Sequence, residues 1–174
     1  MLALLAAPAS QAQNKTTFLV TDAGIGRLNA DTVYAAKDVS AAFGGMTVTE
    51  TKIFYEKIPI PVLEATRDGK RMLLAFKREG GLHISRAITY APESVTSTGV
   101  SVGMPMAKVF PHLPDRRCRN GLEQEKGRVF CPAPDLENVR LEFRCDYATR
   151  NDSLPPAKVL AHCPVEAIIW ISNE

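Results

Sequence analysis

VLEATRDGKRMLLAFKREGGLHISRAITY, residues 62–90, decides the fold. Asp68-Gly69 stands between two runs of strand-forming residues, and such a pair is the strongest short hairpin signal a sequence carries. It predicts that residues 62–66 turn back onto residues 71–77. Glu79-Gly80-Gly81 then turns the chain again, into a third strand over residues 82–90. Met72-Leu73-Leu74-Ala75-Phe76 is apolar at every position, which predicts a strand buried on both faces in the middle of a sheet. In the third strand Leu82, Ile84, Ile88 and Tyr90 are expected on one face.

Upstream, residues 46–55 alternate with period two and predict a further strand. Ile58-Pro59-Ile60-Pro61 is expected to interrupt it, because proline donates nothing to a ladder. Before that lies the best helical pattern of the chain. Asp31 or Thr32 is its expected cap, Val33, Ala36, Val39, Ala42 and Phe43 recur at helical spacing, and Gly44-Gly45 ends it. Residues 18–21 read as a short strand.

Downstream, Pro105 opens a short helix with Met106, Val109, Phe110 and Leu113 on one side. Val139, Leu141, Phe143 and Cys145 alternate with Arg140, Glu142 and Arg144, the pattern of a half-buried strand. Residues 165–171 form a closing strand, with Ile168, Ile169 and Trp170 as core candidates. The predicted class is α+β: an antiparallel sheet carrying one long and one short helix. Both halves run from a glycine-bounded turn through a helix into strands, the outline that a diverged α-β-β duplication would leave.

The chain has four cysteines, all between positions 118 and 163. Four cysteines allow three pairings. The local one joins Cys118 to Cys131 and Cys145 to Cys163, each bridge worth about 3 kcal/mol in the chain-entropy model. Zinc sites use close C-x2-4-C pairs, and none is present here. Residues 1–7 read MLALLAA, and Ser10 and Ala12 fit the −3 and −1 positions of a leader cleavage site. The expectation is therefore a signal-peptide remnant over residues 1–12 and a single α+β domain over residues 13–174, periplasmic or secreted. The usual charged n-region is missing, which suggests a start further upstream. No cysteine adjoins the cleavage point to accept a lipid there, and no later stretch reaches the roughly 18 apolar residues of a membrane helix.

The formal charge of +2 gives no reason to expect nucleic acid, and the few aromatics are not interleaved with basic residues. No cofactor or metal motif stands out; Gly24-Ile25-Gly26 lacks a third glycine and reads as a turn. Gly99-Val100-Ser101-Val102-Gly103 matches the nucleophile elbow of serine hydrolases, with Asp135 or Asp146 and His162 following in the required order. Against this, an elbow needs a parallel sheet, and the surrounding pattern is antiparallel hairpins. His83, His112 and His162 read as polar surface residues. Arg116, Arg117 and Arg119 flank Cys118, and Lys126 and Arg128 lie in the same loop. A disulfide there would hold a basic loop in one shape, a candidate surface for an anion or an acidic protein face.

Gly24-Ile25-Gly26-Arg27-Leu28-Asn29-Ala30-Asp31-Thr32 resembles the sigma-E-regulated (YfeY-like) envelope lipoproteins of bacteria, a domain family of unknown function. The resemblance returns at Gly99-Val100-Ser101-Val102-Gly103-Met104-Pro105, at Cys118, at Cys131-Pro132-Ala133-Pro134 and at Ile168-Ile169-Trp170. It implies a compact α+β domain on the periplasmic side, with a Cys118/Cys131 pair and no catalytic residue to carry over. It differs from the family in lacking the lipid-accepting cysteine and in the added Cys145 and Cys163, whose pairing rests on parity. The functional expectation is a non-catalytic binding or structural protein of the cell envelope, with an envelope component or another protein as partner. The alternatives are a serine hydrolase built on Ser101 and an inhibitor of a lysozyme-type enzyme. Oligomeric state is not legible.

Overall fold

The structure, a computed structural model, describes residues 17–44, 46–115, 117–122, 125–147 and 153–173. The expected leader over residues 1–12 lies outside the described residues, as do Gly45 and Arg116. The chain begins with β1 (Phe18–Thr21), β2 (Gly24–Ile25) and β3 (Leu28–Asn29), three short antiparallel strands in sequence. Gly24 has φ 157°, and a Cβ there would lie 2.0 Å from the Leu28 carbonyl oxygen, so no side chain fits.

The first helix, α1 (Ala36–Ala42), is seven residues, not the long helix expected from Asp31 or Thr32 onward. The residues expected to cap it are used earlier. The Asn29 backbone N–H donates to Thr32 Oγ1 and that of Asp31 to Asn29 Oδ1, each at 3.0 Å. Val33 bridges to His83, and the Tyr34 N–H donates to the Leu82 carbonyl at 2.7 Å. These bonds hold residues 29–34 in an extended, turn-rich path and delay the helix to Ala35, which caps it without a side-chain bond. Of the expected inward face, Val39 and Phe43 are fully buried and Phe43 stacks on Phe18 at 4.5 Å, whereas Val33 lies before the helix and is exposed.

Then come β4 (Thr47–Tyr55), β5 (Ile58–Arg67), β6 (Lys70–Lys77) and β7 (Ile84–Thr89), an antiparallel meander. Asp68 and Gly69 have φ 53° and 71°, the left-handed pair of a tight primed turn. β5 runs straight through Pro59 and Pro61, contrary to the expected interruption. There it pairs with β4 alone among the described residues, since pairing with β6 starts at Val62, so the open side asks for no N–H.

β8 (Ser94–Thr96), α2 (Met106–Val109), β9 (Arg119–Asn120), β10 (Arg128–Pro132), β11 (Val139–Arg144), α3 (Ala157–Leu160) and β12 (Val165–Ile171) complete the described elements. β8 pairs in parallel with β1, giving a small sheet of order β3-β2-β1-β8. The large sheet has eight strands in the order β4-β5-β6-β7-β12-β11-β10-β9. Two meanders thus meet where β7 pairs antiparallel with β12. A helix precedes each four-stranded run, α1 before β4–β7 and α2 before β9–β12, and α3 stands between β11 and β12 where only a turn joins β6 to β7.

One face of the large sheet packs against the small sheet and the helices to make the main core. Leu73, Leu141, Phe143, Ile168 and Trp170 meet Val20, Ile25, Leu28, Val39 and Met106 there. Trp170 is pinned in place: its Nε1–H donates to the Asp22 carbonyl at 2.9 Å, and the Asp22 carboxylate accepts from the Asn138 N–H at 2.8 Å. Both local disulfides are formed, Cys118 with Cys131 and Cys145 with Cys163, at Cα separations of 4.2 and 5.0 Å. The architecture is α+β, mostly antiparallel sheet with three short helices.

Candidate functional site

The second face of the large sheet follows from strand alternation. On β6, Leu73 and Ala75 enter the main core, so Leu74 and Phe76 project the other way. With Val62 they form a separate apolar cluster, flanked by Ile53, Ile60, Ile88 and Tyr90. The register carries this face across the sheet: Leu74 stands beside Ile88, Ile88 beside Ile169, and Ile169 beside Arg140. In the next row Glu142 stands beside Phe130 and Phe130 beside Arg119. Bulges interrupt β6, β7 and the β11·β12 pair and curl the sheet, as extra residues in a ladder do. The face closes into a groove of about 660 Å³, the size of a small-molecule site.

The bulge opposite Phe76 and Lys77 also corrects the expected face of β7. Phe76 pairs with Arg86 and Lys77 with Ile84, so the alternation slips by one residue at Ser85. Ile84 enters the main core, Arg86, Ile88 and Tyr90 line the groove, and Leu82 is exposed.

Among the described residues, six arginines and two glutamates line the groove. Four of the arginines are already engaged. Arg71 pairs with Glu64 at 2.6 Å, and Arg117 with Asp115 at 2.9 Å. Arg128 lies 3.1 Å from Glu142 and 3.7 Å from Glu166. Arg140 donates to the carbonyls of Glu137 and Val139. Arg86 and Arg119 differ. Arg86 stacks over the Phe76 ring at 3.8 Å and Arg119 over Phe130 at 4.9 Å, and neither has a carboxylate partner among the described residues. Aromatic faces hold a guanidinium in place without neutralising it.

The surrounding groups report a partly dry, charged site. Burial pushes the Glu142 carboxyl above the ordinary carboxylate range, Arg128 opposes this, and the Glu166 and Glu125 carboxylates add to it. The Glu142 side chain is 4% exposed, and its Oε1 makes no hydrogen bond among the described residues despite Arg128 beside it. Tyr90 is pushed up to about 12, by burial first and then by Glu142. Burial lowers the Arg86 guanidinium, against the pull of Tyr90 and Glu125.

Of the basic loop read from the sequence, Arg117, Arg119 and Arg128 line the groove, Lys126 is exposed and does not, and Arg116 lies outside the described residues. The Cys118 to Cys131 bridge ties the segment carrying Arg117 and Arg119 to β10. Arg71, Arg86 and Arg140 were not anticipated. They come from β6, β7 and β11, far apart in sequence, and only the central β7·β12 pairing brings them to one face.

The residues of the elbow motif do not assemble a triad. Thr96 N–H donates to the Val100 carbonyl and Val95 bridges Ser101, so the segment folds back on β8 as a turn instead of feeding a helix. Gly99 and Gly103 take the positive φ values there, 89° and 88°, and Ser101 does not. His162 is exposed, as are Asp135 and Asp146, and no hydrogen bond joins His162 to Ser101 among the described residues. Among the described residues no three His, Cys, Asp or Glu side chains gather as a metal-ligand set, and no helix is long and apolar enough to cross a membrane.

Fold and groove together define an α+β domain whose curled antiparallel sheet carries an arginine-lined, apolar-floored outer face. The chain belongs to the family of proteins of unknown function DUF1131, whose model matches residues 8–172. Its fold is similar to the crystal structure of the uncharacterized protein yfeY from Escherichia coli, with a TM-score of 0.73 at 17% identity, over 90% of this chain and 99% of that one. No curated protein sequence matches it.

Proposed function

We propose that this protein is a non-catalytic binding domain of the bacterial cell envelope that holds an anionic ligand in the groove. One observation carries the reading: Arg86 and Arg119 are presented on aromatic rings, facing the groove, with no carboxylate in salt-bridge contact among the described residues. Two disulfides suit an oxidising, periplasmic or secreted setting. On this reading residues 1–12 are a removed leader, and residues 13–174 act as one domain. The two meanders facing each other across β7·β12 are the remnant of a diverged duplication. One meander then supplies most of the apolar floor, and the other most of the charge.

The test is a fluorescence titration with a naphthalenesulfonate dye, an aromatic anion. A charge-assisted bond to an anion is worth about 1.5–3 kcal/mol, about ten- to a hundredfold in affinity. Arg86→Met and Arg119→Ala should each weaken binding on that scale, and Lys126→Ala, exposed and off the groove, should not. No saturable binding by the wild type, or an equal loss in the Lys126 variant, would overturn the reading.

A further inference from the structure

The groove is divided, and the division specifies more than a negative charge. Its floor on β4 to β7 is apolar: Ile53, Ile60, Leu74, Phe76 and Ile88. Ile169 on β12 continues this strip up to Arg140 on β11. Adjacent strands lie about 4.8 Å apart, so the strip spans roughly 19 Å across the strands from β4 to β12; Ile53 and Ile60 lie four residues along the strands from the Leu74, Ile88 and Ile169 row, which makes it a diagonal of roughly 23 Å. The hydrocarbon core of a bilayer is about 30 Å thick, so one acyl chain reaches about 15 Å. The strip is therefore long enough to take a whole acyl chain.

The far end of the strip is cationic. Arg119 and Arg140 stand on β9 and β11, and Arg86 borders the floor on the side of Phe76. Glu125 of the disulfide-tied loop lines the same groove as Arg86. At the apolar end the rim is exposed hydrocarbon. Phe54 and Tyr55, at the tip of the β4–β5 hairpin, line the groove and are 66% and 51% exposed. Surface aromatics grouped beside a groove mark a place where an apolar ligand enters.

We infer that the ligand is a single-chain amphiphile with an anionic head: the chain lies along the Ile53 to Ile169 strip and the head meets Arg86 and Arg119. The inference rests on the anion-binding reading of the same groove and adds the chain. A carboxylate head and a phosphate head share the required chemistry, and the test separates them.

Isothermal titration of the wild-type protein uses alkyl carboxylates and alkyl phosphates of increasing length, kept monomeric, with acetate and inorganic phosphate as heads without chains. Each buried methylene contributes about 0.8 kcal/mol, which is about fourfold in affinity. Because the groove is open on one side, affinity is expected to rise about two- to fourfold per methylene until the chain fills the strip. The better head series identifies the source. Ile60→Thr and Ile88→Thr, at half-buried floor positions, should flatten that slope and leave the response to inorganic phosphate unchanged. Anion binding with no dependence on chain length overturns the amphiphile and leaves the anion groove standing. Alkyl alcohols binding as tightly as the carboxylates remove the arginines from the account, and no binding by any probe overturns both readings.

Discussion

Replacing Arg86 by methionine should stabilise the free protein and weaken its binding, and this pairing separates a ligand-binding arginine from a structural one. The guanidinium is half-buried on the groove floor, 3.8 Å from the Phe76 ring, with no carboxylate in salt-bridge contact among the described residues. Full burial of an ion costs several kcal/mol, so partial burial costs a fraction of that. The ring returns about 0.5–2 kcal/mol. Methionine keeps the apolar stem and packs well against a ring, while removing the desolvated charge. The balance predicts a gain of about 1 kcal/mol in unfolding free energy, or roughly 2–4 °C in Tm for a chain of this size. Urea unfolding reads it as a higher midpoint at unchanged slope. The same variant should bind the naphthalenesulfonate about ten- to a hundredfold more weakly. A loss of 1 kcal/mol or more together with unchanged affinity would mean that Arg86 is a packing residue, and the reasoning would fail.

Three further outcomes follow from other parts of the structure. Because burial raises the folded Glu142 pKa above the unfolded value of about 4.3, the native state holds a proton that the unfolded chain has released. Its contribution to stability is therefore present at low pH and falls as pH rises through the raised value, and Glu142→Gln should flatten that slope in urea unfolding from pH 4 to 7; parallel slopes would contradict this. Replacing Cys118 and Cys131 by serine should cost about 3 kcal/mol and weaken anion binding, since Arg117 and Arg119 flank that bridge. The Cys145 and Cys163 pair should cost about as much and leave affinity nearly unchanged, and equal binding losses in the two double variants would refute the assignment. Lys57→Gly should raise stability by about 1 kcal/mol, because Lys57 holds φ 69° at the β4–β5 tip, where only glycine is unstrained; thermal unfolding checks it.

Local chemistry was readable in the sequence, and gathering was not. Asp68-Gly69 announced its turn, and the five apolar residues from Met72 to Phe76 announced a strand covered on both faces, because both signals are complete within a few residues. The helix was overestimated because Asn29, Asp31 and Thr32, good capping residues in isolation, bond instead to one another. Pro59 and Pro61 looked like a break because the sequence does not say that β5 outruns β6. The face of β7 was misassigned because one bulge reverses parity, and a bulge leaves no local mark. The basic loop was visible as a cluster of charge. Arg86 and Arg140 were invisible as site residues, since alternation on β7 and β11 marks them only as facing away from the core. That this outer face is a groove depends on the curl of eight strands and on the meeting of β7 with β12.

The most direct test of the groove as a binding site is a 1H–15N titration that follows the side-chain Nε–Hε signals of Arg86 and Arg119 as a monomeric alkyl phosphate is added. These two signals should shift together and saturate, with the backbone amides of Leu74, Ile88 and Ile169 moving at the same midpoint. Saturable binding that leaves both arginine signals in place, with shifts confined to other surfaces, would contradict it.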